Sequence, residues 1–369
     1  MKYKIDTPTL VIGAALTSEQ ALSLPLVAPE QTTHSYNDSQ YLACFHSSLD
    51  PTLAQCQQFV QTDKQGATNK SNQAHKATRC IELLSHLMSS INHSGISLPT
   101  NQPVFLLLPE FVEQIHVPTD EQAQLNNANM ALAEFVKMLT LALPELFQHP
   151  QSQLFPYGRA AFPIALASAN TFFSQQTDDN ATGTISLISV DSLLFDIPTL
   201  HEQNRLITAQ CSQGIIPSEG AIFAQLSPVD NTEEGITVNF AQSMLAPSKQ
   251  RVSTTQQLFI KSAAALPKNT AQTAALAVIE QLYLPGNGDD TLQKSWLDAY
   301  ISLAGHVDVN TKITQSAFFT GELGSNTGLY NFLHIVTGYK NNFIKGNTLQ
   351  LEVSDNLHQG IAMYSWNNT

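Results

Sequence analysis

An α/β protein, with strands and helices alternating in both halves of the chain, is predicted by three features of the sequence. Short apolar, β-branched runs recur along its length. Longer runs between them carry apolar residues three and four apart, and glycine or proline marks most of the junctions. Such alternation implies mixed or parallel sheets covered by helices. The 369 residues suit two domains or one large duplicated unit, and the halves are placed at 1–235 and 236–369. No short internal repeat is visible.

In chain order, Thr9–Ala15 reads as the first strand. Lys76–Asn92 has Ile81, Leu84, Leu87, Met88 and Ile91 on a helical period, and His93-Ser94-Gly95 supplies a C-terminal stop. Prolines 103 and 109 bracket a buried strand. Asp120–Leu143 is helical up to Pro144, which disfavours helix at the residue before it. Ala160–Phe173 is alanine-rich and almost wholly apolar, so a central buried helix is expected, with Pro163 in its first turn. Gly183–Val190 and Ala221–Leu226 read as buried strands. In the second half Thr237–Ala246 reads as strand and turn, Thr270–Gln281 as helix and Leu282–Leu284 as strand. Thr291–Leu303 reads as helix, Ser316–Thr320 as strand and Leu329–Thr337 as helix. Leu349–Val353 and Ile361–Trp366 read as a closing hairpin. The segment 61–77 is polar and aperiodic and reads as a surface loop.

Composition excludes several classes. Lys+Arg 17 against Asp+Glu 30 gives −13, which argues against nucleic acid and against anionic lipid, since both need clustered cations. No apolar run approaches the ~18–20 residues of a membrane span, and the N-terminus reads as a strand and not a signal peptide. Four cysteines without CxxC spacing suggest free thiols in a reduced, cytoplasmic protein. Cys80, His86 and His93 invite a metal reading, but the two histidines share a helix face with Arg79 and Glu82, a solvated face, and lack a third ligand at usable spacing. No metal or cofactor is expected. The run Gly321–Gly328 lacks the Lys-Ser/Thr of a P-loop and reads as a helix start.

Four stretches in order resemble the β-ketoacyl synthase branch of the thiolase superfamily. Tyr157-Gly158-Arg159-Ala160-Ala161-Phe162 resembles the family's nucleophile turn ahead of a buried helix. Val190–Leu194 followed by Gly214–Ala221 resembles its glycine-rich stretch leading into the last strand of the first half. Pro285-Gly286-Asn287-Gly288 is placed like its His-Gly-Thr-Gly loop, and Gly321-Glu322 with Gly328-Leu329 like the Gly-His pair opening a late helix. The resemblance is good over about 154–366 and rests on element order before that.

The departures fall on the chemistry. Condensing enzymes need a thiolate nucleophile at a helix N-terminus and two histidines that stabilise the developing oxyanion. The cysteine position falls here on Gly158 or Arg159, the histidine positions on Pro285 and Glu322, and the family's lysine on Ala317. The C-terminal gate loop, glycine-rich in the family, reads Asp355-Asn356-Leu357-His358-Gln359-Gly360. Four losses in the family's spacing imply a non-catalytic member. The pattern resembles that of chain-length-factor subunits, which pair with an active ketosynthase, and the short, Gln-rich chain looks like the partner subunit of aryl polyene pathways. Many chain length factors carry glutamine at the cysteine position, and this chain has none there.

The resemblance implies a thiolase-like, duplicated layered α-β-α-β-α fold. It implies a dimer joined through an edge strand, falling here on Gly183–Val190. The implied function is a non-catalytic subunit of a ketosynthase heterodimer that elongates a polyene or fatty acyl chain on acyl carrier protein, which it serves indirectly. Phe135 and Met138 on the long helix, with Leu357 in the gate loop, are the candidate tunnel and interface residues. The helix after Arg159 is so apolar that Arg159 is expected to start buried and to pair with Glu322. Two other readings remain: an active acyltransferase or condensing enzyme using Cys56 or Cys211, and a homodimeric scaffold without acyl chemistry.

Overall fold

The computed structural model describes residues 1–13, 17–23, 26, 31–46, 70–95, 102–111, 121–175, 183–230, 232–266 and 278–367, with the backbone alone at 7, 70–74, 121–130, 248 and 367. Twelve strands are named in chain order: β1 Lys2–Ile12, β2 Thr32–Tyr36, β3 Ser39–Ala43, β4 Val104–Leu107, β5 Gln153–Phe155, β6 Ile185–Ser192, β7 Glu219–Pro228, β8 Gly235–Leu245, β9 Ile279–Tyr283, β10 Lys312–Thr314, β11 Asn347–Val353 and β12 His358–Asn367. The longer helices are α1 Lys70–His93, α2 Glu121–Ala142, α3 Ala161–Ser174, α4 Arg251–Ala264, α5 Asp290–Leu297 and α6 Asn326–Lys340.

Ten strands form one sheet in the order β10-β9-β11-β12-β8-β1-β7-β6-β4-β5. Outward from β1 the neighbours run β7, β6, β4, β5, and outward from β8 they run β12, β11, β9, β10. On each side two antiparallel pairings are followed by two parallel ones. The two series meet where Lys2 pairs with Thr237 and Tyr3 with Ile236. Helices interrupt both series at matching points, with α1, α2 and α3 answering to α4, α5 and α6.

Strand alternation sorts the side chains into layers. Val104 and Leu106 of β4 join Leu83, Leu84 and Leu87 of α1 and Leu139 of α2 in an outer cluster. Phe105 and Leu107 point the other way, to Phe162 and Ala165 of α3 and Phe332 of α6. Leu349, Leu351 and Val353 of β11 meet Leu258 and Phe259 of α4 and Trp296 of α5 in a third cluster. Each such side chain, removed from water, contributes ~1.5–3 kcal/mol. The result is α-β-α-β-α, with α3 and α6 in the middle. Phe162 and Phe332 pack at a tilt with ring centroids 4.8 Å apart. A Cβ on Gly328 would lie 2.7 Å from that of Phe162, so the two helices approach closely only because Gly328 has none.

Several expectations hold. The proline-bracketed strand is β4, α2 ends at Ala142 ahead of Pro144, Pro163 lies in the first turn of α3, and β11 and β12 form the closing hairpin. Gly95 has φ +74 where the helix stop was expected.

Others are corrected. Gly183–Val190 is not an edge: β6 pairs with β4 on one side and β7 on the other, and all eight of its residues are buried. Among the described residues the open edges of this sheet are β5 and β10. The strand expected at Leu282–Leu284 starts at Ile279, and 270–277 lie outside the described residues. Ser316–Thr320 contains a helical turn, Ala317–Thr320, closed by Gly321 at φ +69, and the strand is β10 just before it. Short apolar runs have too few residues for a period to be read. Helix α4 is polar over its first two turns, and its one apolar run, Leu258-Phe259-Ile260, is too short to show a period. The β2–β3 hairpin turns on Asn37 and Asp38, both at positive φ, a turn chemistry the apolar pattern does not display. No described helix is long and apolar enough to cross a membrane.

Candidate functional site

The chain leaves β5 and turns at Gly158, whose φ is +56, into the short 3₁₀ turn that opens α3. A side chain on Gly158 would start 3.2 Å from Ser354 Oγ and 3.3 Å from Glu110 Cβ. The next residue, Arg159, is 4% exposed. Its Nε and Nη2 reach Oε1 and Oε2 of Glu322 at 2.9 and 2.7 Å, a two-point ion pair of the kind that matches guanidinium to carboxylate. Its Nη1 donates to Val353 O at 3.2 Å and to Asp355 Oδ1 at 3.1 Å. The pair expected from the resemblance is therefore present.

Glu322, 1% exposed, follows the Gly321 turn and precedes α6. It also accepts from Asn287 Nδ2 at 2.6 Å and from the Gly324 amide at 2.8 Å. Burial opposes the charge of Arg159, but Asp355 and Glu322 outweigh it and hold the guanidinium firmly protonated. Pro285, Asn287, Ala317, Thr327 and Asn331 complete the walls. The space left is about 10 Å³, and a water needs ~10–15 Å³. The pocket is filled by its own side chains.

The loop from Ser354 to His358 closes over it. Ser354 Oγ accepts from the Ala160 amide at 3.0 Å and donates to Tyr157 O. Glu110, just past β4, accepts from Asn356 N (3.1 Å), Asn356 Nδ2 (3.2 Å), Leu357 N (3.1 Å) and His358 Nδ1 (2.9 Å). Arg251 donates to the carbonyls of Asp355 and Asn356. Arg205 pairs with Asp289 at 2.5 Å and lies 3.5 Å from Asp355. Packing of the loop strips part of the water from the Asp355 carboxyl and would raise it, yet Arg159, Arg205 and Arg251 hold this partly exposed group well below the usual carboxylate range.

Gly158, Arg159, Pro285, Ala317 and Glu322 are thus brought to one place. The others lie elsewhere. Phe135 is buried in the outer layer against Phe111, ring centroids 5.0 Å apart, with Met138 half-buried beside it. Phe111 directly follows Glu110, so this cluster adjoins the loop's anchor. Leu357 is at the loop tip, 39% exposed. Cys211 Sγ donates to Gln213 O at 2.9 Å, and Cys56 lies outside the described residues. Burial pushes the Cys44 thiol up to about 11 and raises Cys80. None of the three described cysteines lines the pocket. His93 Nδ1 bonds to Ser89 O, whereas His86 packs edge-on to His46.

Sequence reasoning missed Glu110, Asn287, Arg205, Arg251, Asp289 and Ser354. Two had a signal. Glu110 directly follows an apolar strand run closed by Pro109, and Asn287 is the one side chain in Pro285-Gly286-Asn287-Gly288 able to donate. The rest arrive from loops and, for Arg251, from the first residue of α4, and no local pattern encodes their approach.

No protein-family model matches the sequence, and no curated protein matches it. Solved structures do. The ishigamide ketosynthase/chain length factor is similar over 100% of both chains, with TM-score 0.58 and 11% identity. A chain of the ketosynthase ApeO in complex with its chain length factor ApeC, from Xenorhabdus doucetiae, gives TM-score 0.58 and 9% identity over 99% of this chain and 98% of that one. The oxazolomycin ketosynthase domain OzmH KS7 of Streptomyces albus JA3453 gives 0.52 and 11%, over 80% of this chain and 60% of that one. The fold is therefore that of the thiolase-like ketosynthases and chain length factors.

Proposed function

We propose that this chain is a non-catalytic, chain-length-factor-like subunit of a ketosynthase heterodimer, acting in polyene or fatty acyl elongation on acyl carrier protein. The observation that carries the reading is the Arg159–Glu322 ion pair, which fills the pocket at the head of α3. Gly158, Pro285 and Ala317 around it have no nucleophile and no side-chain donor. An active enzyme with displaced residues would need a thiol at the pocket, and none of the described thiols lines it.

The catalytic ketosynthase is the proposed partner, and β5 offers the edge for it. Gln153-Leu154-Phe155 has no charge to discourage strand pairing, whereas the opposite edge, β10, carries Lys312. The carrier protein, usually acidic, would dock on the catalytic partner, since a chain at −13 offers it little attraction. We take residues 1–235 and 236–369 as the two halves, 236 being the second residue of β8, and the compartment as the cytoplasm.

The test is co-expression with a ketosynthase of the aryl polyene or polyketide type encoded beside it. The reading expects a stable one-to-one complex that elongates carrier-bound acyl chains, with the acyl group on the partner alone. A homodimer that ignores the ketosynthase would favour the scaffold reading. Acyl groups on this chain would favour an enzyme.

A further inference from the structure

Behind the filled pocket lies a carboxyl group that the ion pair does not use. Glu352 projects from β11 and is fully buried. Its Oε1 accepts from Gln350 Nε2 and Asn331 Nδ2, both at 2.8 Å. Its Oε2 has no hydrogen-bond partner, and neither has Asn331 Oδ1. Two buried acceptors are thus left without a donor on a carboxyl and an amide that already share one hydrogen bond. An orphaned buried polar group is rare in a native fold because it loses water and gains nothing.

We propose that Glu352 is a proton-binding site: it is protonated on the acid side of neutrality, its O–H then donates to Asn331 Oδ1 to close a two-point acid–amide pair, and its neutrality there keeps the Arg159–Glu322 plug in charge balance. The inference rests on this cluster and is independent of the function proposed above.

Among the described residues, three ionisable groups face Glu352. Arg159 comes from the turn before α3, Glu322 from the loop before α6, and Tyr364 from β12, with its hydroxyl 2.9 Å from Gln350 Oε1. Gly360, directly across the ladder on β12, has no side chain to contribute. From α6 the nearest groups are Asn331 and Gly328, neither of which titrates. Arg159 is already committed to Glu322 and Asp355. Among the described residues, a second carboxylate beside Glu322 would therefore find no further cation to pair with. Burial pushes the Glu352 carboxyl up to about 7; the hydrogen bonds from Gln350 and Asn331 and the charge of Arg159 offset part of the rise.

The native state then holds this proton more tightly than the unfolded chain, where a glutamate titrates near its ordinary 4.5. As pH rises from about 4.5 to about 7, the unfolded chain ionises first and native stability falls. Above that window both states are ionised and this contribution levels off.

The variant that tests this is Glu352→Gln. It keeps the acceptor oxygen and permanently supplies the donor for Asn331 Oδ1. Unfolding midpoints in urea are compared across the window, together with infrared spectra of protein labelled with ¹³C at the glutamate carboxyls. The wild type is expected to lose stability relative to the variant as pH rises. It is also expected to show, at slightly acid pH, a protonated-glutamate carbonyl band that the variant lacks and that disappears with a midpoint near 7. Parallel stability curves without such a band would overturn the proposal. Should the variant fail to fold, the labelled wild type decides alone: the band supports the site, and carboxylate bands only refute it.

Discussion

Arg159 and Glu322 stand 163 positions apart and meet through two hydrogen bonds, at 2.9 and 2.7 Å, in a place almost closed to water. One opens the helix α3 and the other lies just ahead of its counterpart α6, so the pair ties the two like halves together at their centre.

Removing one partner leaves the other charge buried and unpaired. Arg159→Met should destabilise the protein by ~3–5 kcal/mol, whereas Arg159→Met with Glu322→Met should recover most of the loss, because an apolar pair of similar volume has no charge to desolvate. Urea unfolding of the single and double variants measures both. A double variant as unstable as the single would show that the remaining donors, Asn287 and the Gly324 amide, depend on Glu322 as much as Arg159 does.

Alone, the chain should form no acyl-enzyme with acyl carrier protein or acyl coenzyme A, judged by intact mass. Gly158→Cys should not restore one. The new thiol would enter at φ +56, a conformation costing ~1–2 kcal/mol for a residue with a Cβ, and would face Ser354 and Glu110 with the Arg159 ion pair beside it. Measurable acylation of either protein would refute the view that this pocket is closed to chemistry.

Glu110 anchors the loop over the pocket through four donors. Glu110→Ala should leave those donors unpaired and cost ~1–3 kcal/mol. Hydrogen exchange should speed up at the amides of Asn356 and Leu357 before it does in β11 or β12. Uniform acceleration across β11, the loop and β12 would mean the loop opens only when the hairpin does.

Phe135 separates two roles for α2. If it ends an acyl tunnel at the subunit interface, Phe135→Ala opens volume worth ~0.8 kcal/mol for each methylene buried there, and the reconstituted heterodimer should make longer products. Met138→Ala tests the adjacent face of the helix. If Phe135 only packs against Phe111, the substitution costs ~3–5 kcal/mol of stability and leaves product length unchanged. Product mass spectra and melting temperatures, measured side by side, distinguish the two.

The layers of this protein could be read from its residues because burial imposes a local period. Strand β4 is apolar on both faces and lies between two helix layers; α3 is apolar all round and lies in the middle. The polar helix α4 and the β2–β3 hairpin escaped notice because their sequences hold no apolar run long enough to show a period. Arg159 was legible as a buried charge in need of a carboxylate, since the apolar helix that follows it leaves little water to pair with. Strand edges were not legible. Gly183–Val190 reads as a buried strand whether it has one neighbour or two, and backbone hydrogen bonding to both β4 and β7 is decided by tertiary assembly and not by side-chain pattern. The same holds for the meeting of Glu110 with the 354–358 loop and of Glu352 with Asn331: each partner is ordinary in its own stretch of chain, and only the packing of distant elements withdraws them from water and makes their pairing obligatory.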